Sequence, residues 1–267
     1  MTTKGLGLED KAFPFLRVAP RSTKPRTRGL TIIADRGIGP NAIEDLMLAA
    51  GDYVDWAKIG ISAPRIHTKE FLRNKIDQFH RSQVNCFLSG DAFEAAVLQG
   101  VVDLYFREVR DLGADGVEIS SAQTLMSLDT KVRLVKKARS LGLTVIAEVG
   151  KKGFESLDVR ASEFAHQITA CLEAGATYVL IQGEGLVENV PEIRSDLFME
   201  LSTRVKIDDL IFQAKDSRSQ SWFISNFGNE VSLDIDTHQV VDVELLRRGI
   251  RKRGIFGLLA AYHGDEE

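Results

Sequence analysis

Eight short apolar runs recur along the chain from residue 29 onward, and a helical pattern follows each of them. In order, the runs are GLTIIAD (29–35), YVDWAKIG (53–60), VNCFLSG (84–90), GVEIS (116–120), LTVIAEVG (143–150), TYVLIQG (177–183), DLIFQAK (209–215) and EVSLDID (230–236). Nearly continuous apolar runs of this length are typical of parallel strands that are covered on both faces. The pattern therefore predicts eight β-then-α units.

The units follow one another without a linker rich in Pro, Gly or Ser. This continuity favours one α/β domain, a (β/α)8 TIM barrel. We expect an N-terminal arm over residues 1–27, the barrel over 28–257 and a C-terminal tail over 258–267. The alternative is an open doubly wound sheet, but no GxGxxG follows the first run and the chain has no Walker sequence.

Composition narrows the class of partner. Of the 267 residues 44% are hydrophobic and 27% charged, and the formal net charge is -4, so we expect neither nucleic acid nor an anionic membrane surface as a partner. No apolar stretch approaches the roughly 18 to 20 residues needed to span a bilayer. Cys86 and Cys171 have no metal-ligand spacing. We therefore expect a cytoplasmic protein and, by analogy with other barrels, a homo-oligomer.

The N-terminal arm contains a basic stretch, KAFPFLRVAPRSTKPRTR (11–28), with six basic residues and no acidic one. We expect it to pack on the domain through Phe13, Phe15 and Leu16. An organelle address or a nucleic-acid-binding arm are the alternatives.

In a barrel of this kind the active site lies at the carboxyl ends of the strands. The eight runs end in a set of polar and charged residues: Asp35, Arg36, Lys58, Ser89, Gly90, Asp91, Glu118, Glu148, Lys151, Lys152, Gln182, Gln213, Lys215, Asp234 and Asp236. Lys58, Glu118 and Glu148 lie within apolar runs or close to their ends. Because buried charge is costly, these side chains must point into the mouth of the barrel and find partners there.

The cations among these residues predict an anion site. Arg36, Lys58, Lys151 and Lys152 would converge there with helix N-termini, which favour anions. Such a mouth suits a small substrate that carries phosphate, carboxylate or sulfonate. The carboxylates at the same strand ends have three possible roles: to hold Mg²⁺, to orient the lysines or to act as bases, with purely structural pairing as the alternative.

Several motifs together resemble one known family. They are RGLT (28–31), ADRG (34–37), GDYVDWAKIG (51–60), FE (93–94), VEIS (117–120), EVGKK (148–152), AGATYV (174–179) and VELLRRGIR (243–251). Together they resemble the phosphosulfolactate synthase family from about residue 28 to 257. The resemblance implies a (β/α)8 barrel that adds sulfite to phosphoenolpyruvate with Mg²⁺, an early step of coenzyme M biosynthesis.

The resemblance also implies roles for individual residues. Lys152 would be the general acid, and Lys58 and Arg36 would hold phosphate or carboxylate. Glu118 and Glu148 would orient the lysines or the metal. The predicted site therefore has Lys152, Glu148 and Lys58 as catalytic residues, Asp35 and Glu118 as metal ligands, and Arg36, Lys151, Ser89, Gly90, Asp91, Gln182 and Gln213 as substrate-binding residues.

The chain departs from the family pattern at several strand ends. Arg36 stands where the family has lysine, GISAP (60–64) replaces a GWGTS-like sequence, SGD (89–91) replaces GGT, and SSA (120–122) replaces SDG. Gln182 and Gln213 replace two expected glutamates, which removes negative charge and weakens the case for Mg²⁺.

Two segments are more similar to a divergent branch of the family, which includes plant heat-stress-associated proteins. They are SGD (89–91) and DIDTHQV (234–240). This resemblance implies an alternative function, a non-catalytic or regulatory barrel that binds a small anion or a protein partner. His238 is a candidate acid or base in this segment, with helix capping or packing as the alternative.

Overall fold

The computed structural model describes residues 11–16, 18–60, 63–152 and 159–250. It contains eight strands, each within a predicted run: β1 (Thr31–Asp35), β2 (Trp56–Ile59), β3 (Asn85–Leu88), β4 (Gly116–Ile119), β5 (Thr144–Val149), β6 (Tyr178–Ile181), β7 (Leu210–Gln213) and β8 (Ser232–Asp236). All eight predicted strands are confirmed, and each is shorter than its apolar run.

The strands form a closed parallel barrel in chain order. The barrel closes because β1 pairs with β2 on one side, where Ile32 lies opposite Trp56, and with β8 on the other, where Ile32 lies opposite Asp234. This closure confirms the (β/α)8 barrel, and an open doubly wound sheet is excluded.

Helices connect successive strands on the outside of the barrel. They are α1 (Pro40–Ala50), α2 (Lys69–Arg81), α3 (Gly90–Leu98), α4 (Val102–Asp111), α5 (Leu128–Ser140), α6 (Ala161–Glu173), α7 (Ser195–Ser202), α8 (Ser217–Phe227) and α9 (Val240–Arg247). Both α3 and α4 lie between β3 and β4, as the sequence pattern predicts. No helix in the described part of the chain is long and apolar enough to cross a membrane.

Alternation along the strands separates two cores. One set of residues, in the strands or directly before β1, fills the barrel interior: Leu30, Ile32, Trp56, Phe87, Ile146, Leu180 and Ile211. Their neighbours in sequence, such as Ile33 and Ala57, face outward and pack in the larger core under the helices. Because the side-chain period of a strand is two, the residue two positions after each interior residue also points inward, at the carboxyl end of the barrel.

The N-terminal arm does not pack as predicted. Phe13, Phe15 and Leu16 are 65%, 77% and 59% exposed. Basic side chains hold the arm instead: Arg21 donates to the carbonyl of Gly29 at 3.0 Å, and Lys24 donates to that of Gly51 at 2.7 Å. Residues 1–10 of the arm, residues 251–257 of the predicted barrel and the predicted tail over 258–267 lie outside the described residues.

Gly90, the first residue of α3, lies against the segment that follows β4 at the barrel mouth. A Cβ atom on Gly90 would lie 2.4 Å from the Cβ of Ser120 and 3.2 Å from Oε2 of Glu118. The Cβ of Ser120 is attached directly to the backbone of the segment after β4, so it cannot move away freely. The position therefore requires glycine for space.

We expect Gly90→Ala to lower the free energy of unfolding by about 1–3 kcal/mol, the usual cost of overpacking a well-packed site. Gly39→Ala is the matched control, because a Cβ there meets no atom within 4 Å. Urea denaturation of both variants measures the difference. Equal unfolding midpoints for the two would contradict this account.

Candidate active site

One cavity of about 310 Å³ lies at the carboxyl ends of the strands. It is lined by Ala34, Arg36, Lys58, Gly90, Asp91, Glu118, Ser120, Glu148, Lys152, Glu184, Gln213, Lys215 and Asp234. Four of these side chains are cationic and five are carboxylates. The electrostatics of the cavity therefore depend on how these groups pair.

Lys58 is the most deeply placed cation of the cavity. Its Nζ is 2.8 Å from Oε1 of Glu118 and 3.6 Å from Oδ2 of Asp234. Burial alone would lower the pKa of Lys58, but the charges of Glu118, Asp234 and Glu148 outweigh this effect and raise that pKa well above its ordinary value. Lys58 is therefore a fixed positive charge rather than a proton donor.

Glu118 connects β4 to the start of α3. Its Oε2 accepts a hydrogen bond of 2.6 Å from the backbone N–H of Gly90, at the N-terminus of that helix. Burial, together with the neighbouring charge of Glu148, raises the pKa of Glu118 to about 7 against the opposing effect of Lys58. Glu118 thus binds Lys58 and also fixes the β3–α3 junction.

Asp234 joins two lysines on the other side of the cavity. Lys215 Nζ is 2.5 Å from Oδ1 of Asp234, while Lys58 approaches Oδ2. Burial opposes ionisation, but the two lysines hold the pKa of Asp234 below its ordinary value. Near the rim, Arg36 Nε is 3.3 Å from Oδ1 of Asp236. Lys215 and Arg36 therefore form a second pair of cations, on the side of the cavity next to β7, β8 and β1.

Glu148 lies on β5 between two polar neighbours. Its Oε1 accepts a hydrogen bond of 3.1 Å from Gln182 Nε2, and its Oε2 is 2.5 Å from Oγ of Ser120. Behind the strand, buried Lys131 donates to the backbone carbonyl of Glu148 at 2.6 Å. The carboxyl group is therefore held in one orientation at the cavity wall.

The adjacent lysines of EVGKK point in different directions. Lys152 lines the cavity, and its Nζ is 3.5 Å from Oδ1 of Asp91. Lys151 instead donates to the backbone carbonyls of Ser121 and of Thr124, the latter at 2.7 Å. The turn begins at Gly150, whose φ of +117° is in a region that side chains disfavour, and a Cβ there would lie 2.7 Å from that of Gln182.

The structure brings most of the predicted site together. Among the predicted residues, Lys58, Glu118, Glu148, Lys152, Arg36, Gly90, Asp91 and Gln213 line the cavity. Lys151, Ser89, Gln182 and Asp35 do not. Ser89 is buried and donates to the carbonyl of Gly60, and Gln182 acts behind the wall as a hydrogen-bond donor to Glu148. His238 is exposed on the turn after β8, outside the cavity lining.

Asp35 lies on the outer face of the barrel wall. Its Oδ2 is 2.7 Å from Nζ of Lys75 on α2, and its Oδ1 accepts hydrogen bonds from the N–H groups of Gly37 and Ile38. Glu118 points into the barrel, so this pair of predicted metal ligands does not fit a shared magnesium ion. In residues 11–16, 18–60, 63–152 and 159–250, no group of three His, Cys, Asp or Glu side chains is arranged to hold a metal.

The predicted site omits several residues that the fold brings to the cavity. Lys215 and Asp234 follow the inward period of β7 and β8, so strand alternation was a signal that could have selected them from the other strand-end residues. Glu184 and Glu188 come from the segment after β6. Glu188 accepts a hydrogen bond of 3.0 Å from Gln213 Nε2, so carboxylates lie near the strand ends where glutamine replaces the expected glutamate.

A closed (β/α)8 barrel with a buried, charged cavity at the carboxyl ends of its strands defines a barrel enzyme. Residues 19–253 match the model of the (2R)-phospho-3-sulfolactate synthase (ComA) family. The chain belongs to this family, and it is an enzyme of the carbon-sulfur lyase-type synthases. The resemblance carried by GDYVDWAKIG and EVGKK is confirmed.

The relatives agree with this assignment. The chain is 34% identical to phosphosulfolactate synthase of Methanothermobacter thermautotrophicus, over 90% of this chain and 96% of that protein. It is 26% identical to protein HEAT-STRESS-ASSOCIATED 32 of Arabidopsis thaliana, over 85% and 88%. The solved structure of 3-hexulose-6-phosphate synthase from Salmonella typhimurium has a TM-score of 0.52 at 12% identity, over 82% and 100%, and shows the fold alone.

The buried pair of Asp35 and Lys75 has a structural role that stability measurements can test. We expect Lys75→Met to lower the free energy of unfolding by about 3–5 kcal/mol, because Asp35 would remain buried without its cation. Lys69→Met on the same helix breaks an exposed ion pair with Glu108 and is expected to cost less than about 1 kcal/mol.

Chemical denaturation of the two variants, with Lys75→Met/Asp35→Asn as a third, makes the comparison. The double variant is expected to recover part of the loss, because no unpaired charge remains. Similar losses for Lys75→Met and Lys69→Met would contradict the assignment.

Proposed function

We propose that this enzyme adds sulfite, or a related nucleophile, to phosphoenolpyruvate or a similar small anionic acceptor. The relatives named phosphosulfolactate synthase support this reaction class. The observation that carries the proposal is that Lys58, Lys152, Lys215 and Arg36 all line one small cavity. Several cations around one small cavity are suited to an anionic substrate.

In the proposed reaction the sulfur lone pair forms a bond to the methylene carbon of the acceptor. The π electrons of the carbon–carbon double bond move towards the carboxylate, and a proton is then added to carbon 2. The step requires fixed positive charge where the negative charge develops, and a proton donor on the side of carbon 2.

Lys58 fits the first requirement. It is buried, and its raised pKa keeps it charged throughout the neutral range. Its position is also fixed, since Glu118 and Asp234 hold the ammonium group from two sides. A preorganised charge of this kind stabilises a developing aci-carboxylate without a cost of reorganisation.

Lys152 fits the second requirement. Its side chain is 36% exposed, and its ion pair with Asp91 is long, at 3.5 Å. The ammonium group therefore has freedom to approach a substrate in the cavity and to exchange its proton with solvent afterwards. On the opposite side, Arg36 and Lys215 are suited to a phosphate or carboxylate group of the acceptor.

The magnesium cofactor stays a prediction. Asp35 faces away from the cavity, and no step above depends on a metal. Comparison of turnover in the presence of Mg²⁺ with turnover in the presence of a chelator tests this prediction. The homo-oligomer and the cytoplasmic location also stay predictions.

Replacement of the proposed proton donor tests the reaction. We expect the wild-type protein to form a sulfonate product from phosphoenolpyruvate and sulfite, and Lys152→Met to lower kcat by about 10²-fold or more. Lys136→Met is the matched control, because Lys136 is exposed on α5 and outside the cavity lining. Product formation is measured by mass spectrometry over a time course.

Two results would contradict the proposal: no sulfonate product with the wild-type protein, or equal turnover in Lys152→Met and Lys136→Met. Measurement of thermal stability in the presence of phosphorylated and sulfonated metabolites then distinguishes an enzyme with a different substrate from a non-catalytic barrel. A ligand at 100 times its Kd stabilises a fold by about 2.7 kcal/mol. Indifference to all of them would favour the non-catalytic function implied by the heat-stress-associated branch.

A further inference from the structure

Glu184, in the segment after β6, is a carboxylate of the cavity lining that the protein itself does not pair. Its backbone N–H donates to Oε1 of Gln182 at 3.2 Å. Within the described ranges of the chain, its side chain forms neither a hydrogen bond nor an ion pair. The acceptor capacity of this carboxylate is therefore available to a ligand in the cavity.

The other four carboxylates of the lining all have partners. Three of them pair with cations that also line the cavity: Asp91 with Lys152, Glu118 with Lys58 and Asp234 with Lys215. The fourth, Glu148, accepts a hydrogen bond of 3.1 Å from the side-chain amide of Gln182. Glu184 thus differs from every other carboxylate of the lining.

The backbone that carries Glu184 is nevertheless well held. Besides the bond to Gln182, Oε1 of Glu188 in the same segment accepts from the backbone N–H of Lys215 at 3.2 Å. Arg218 of α8 donates to three backbone carbonyls of this segment. A free carboxylate on a fixed backbone is preorganised for a donor group that enters with a ligand.

The unpaired carboxylate also changes the charge that a ligand meets. The lining has four cations and five carboxylates. A ligand with anionic groups alone adds to this excess of negative charge. A ligand that also carries an ammonium group offsets the excess, because the ammonium group can lie against Glu184.

The anionic group of such a ligand has its own partners in the same cavity. Arg36 and Lys215 line it, and the ion pair between Arg36 Nε and Oδ1 of Asp236 is long, at 3.3 Å, and partly exposed. The Arg36 guanidinium can therefore turn towards an incoming anion. One cavity thus provides cations for an anionic group and a free carboxylate for a cationic one.

We propose that Glu184 is a specificity-determining residue that binds an ammonium group, and that one substrate of this enzyme is a small zwitterion with an anionic group and an ammonium group. This inference deepens the proposed function, and it rests on that function for the assignment of the cavity as the substrate site. It requires no chemical step beyond those already described.

Matched phosphate esters test the ammonium group directly. 2-Aminoethyl phosphate and propyl phosphate differ only by an ammonium group in place of a methyl group, and 3-aminopropyl phosphate and butyl phosphate form a longer pair. We expect the wild-type protein to bind the amino member of at least one pair about tenfold more tightly, because a hydrogen bond between charged groups is a strong one. Calorimetry measures each Kd.

Replacement of Glu184 tests the residue. In Glu184→Gln, which removes the charge and keeps the size, we expect the two Kd values of that pair to differ by about twofold or less. Glu192→Gln is the matched control, because Glu192 is exposed in the same segment and is not part of the cavity lining. This control is expected to keep the wild-type preference. If Glu184→Gln does not fold, Glu184→Ala makes the same comparison.

Three results would overturn the inference. They are equal Kd values within both pairs for the wild-type protein, a preference that survives in Glu184→Gln, and binding of 2-hydroxyethyl phosphate as tight as that of 2-aminoethyl phosphate. Absence of binding by all of these esters would overturn it as well.

Failure of this inference and failure of the proposed function give different results. A sulfonate product from phosphoenolpyruvate and sulfite, without any preference for the amino esters, would support the proposed function and overturn the role of Glu184. A preference that depends on Glu184, without a sulfonate product, would support the inference and exclude sulfite as the nucleophile.

Discussion

The rest of the structure depends on the pairing of charges that the barrel buries at its mouth. Lys58 lies inside a closed sheet, where an unpaired ammonium group would be very costly. Glu118 and Asp234 hold it from two sides, and each of these carboxylates also binds a second group: the start of α3 or Lys215. The charges that line the cavity therefore also form a stabilising network, and they are held in place by one another without a ligand.

A second layer of buried polar groups supports this network from behind the strands. Lys75 pairs with Asp35 on the outer face of β1, Lys131 donates to the backbone of Glu148, and Glu94 contacts the segment after β4. None of these side chains lines the cavity, yet each fixes a strand end that does. Because supporting residues fix the strand ends from behind, the many ionisable side chains that line the cavity keep a defined arrangement.

Strand alternation explains most of what could be predicted. Apolar runs of parallel strands are visible because both faces are buried, so all eight strands and the placement of Lys58, Glu118 and Glu148 follow from the pattern. The predicted packing of Phe13 and Phe15 was wrong because apolar character alone does not determine whether a side chain contacts the domain. Hydrogen bonds from Arg21 and Lys24 to the carbonyls of Gly29 and Gly51 hold the later part of the arm instead.

The amino-acid sequence by itself determined the barrel, the family and the set of charges at the strand ends, since these depend on local periodicity and residue type. Tertiary structure alone decided which charges share the cavity. Asp35 falls on the outer face of β1, and the turn at Gly150 sends Lys152 inward and Lys151 away. It also brings Glu94 to Glu148 through Ser120, a contact between distant segments that no local pattern encodes.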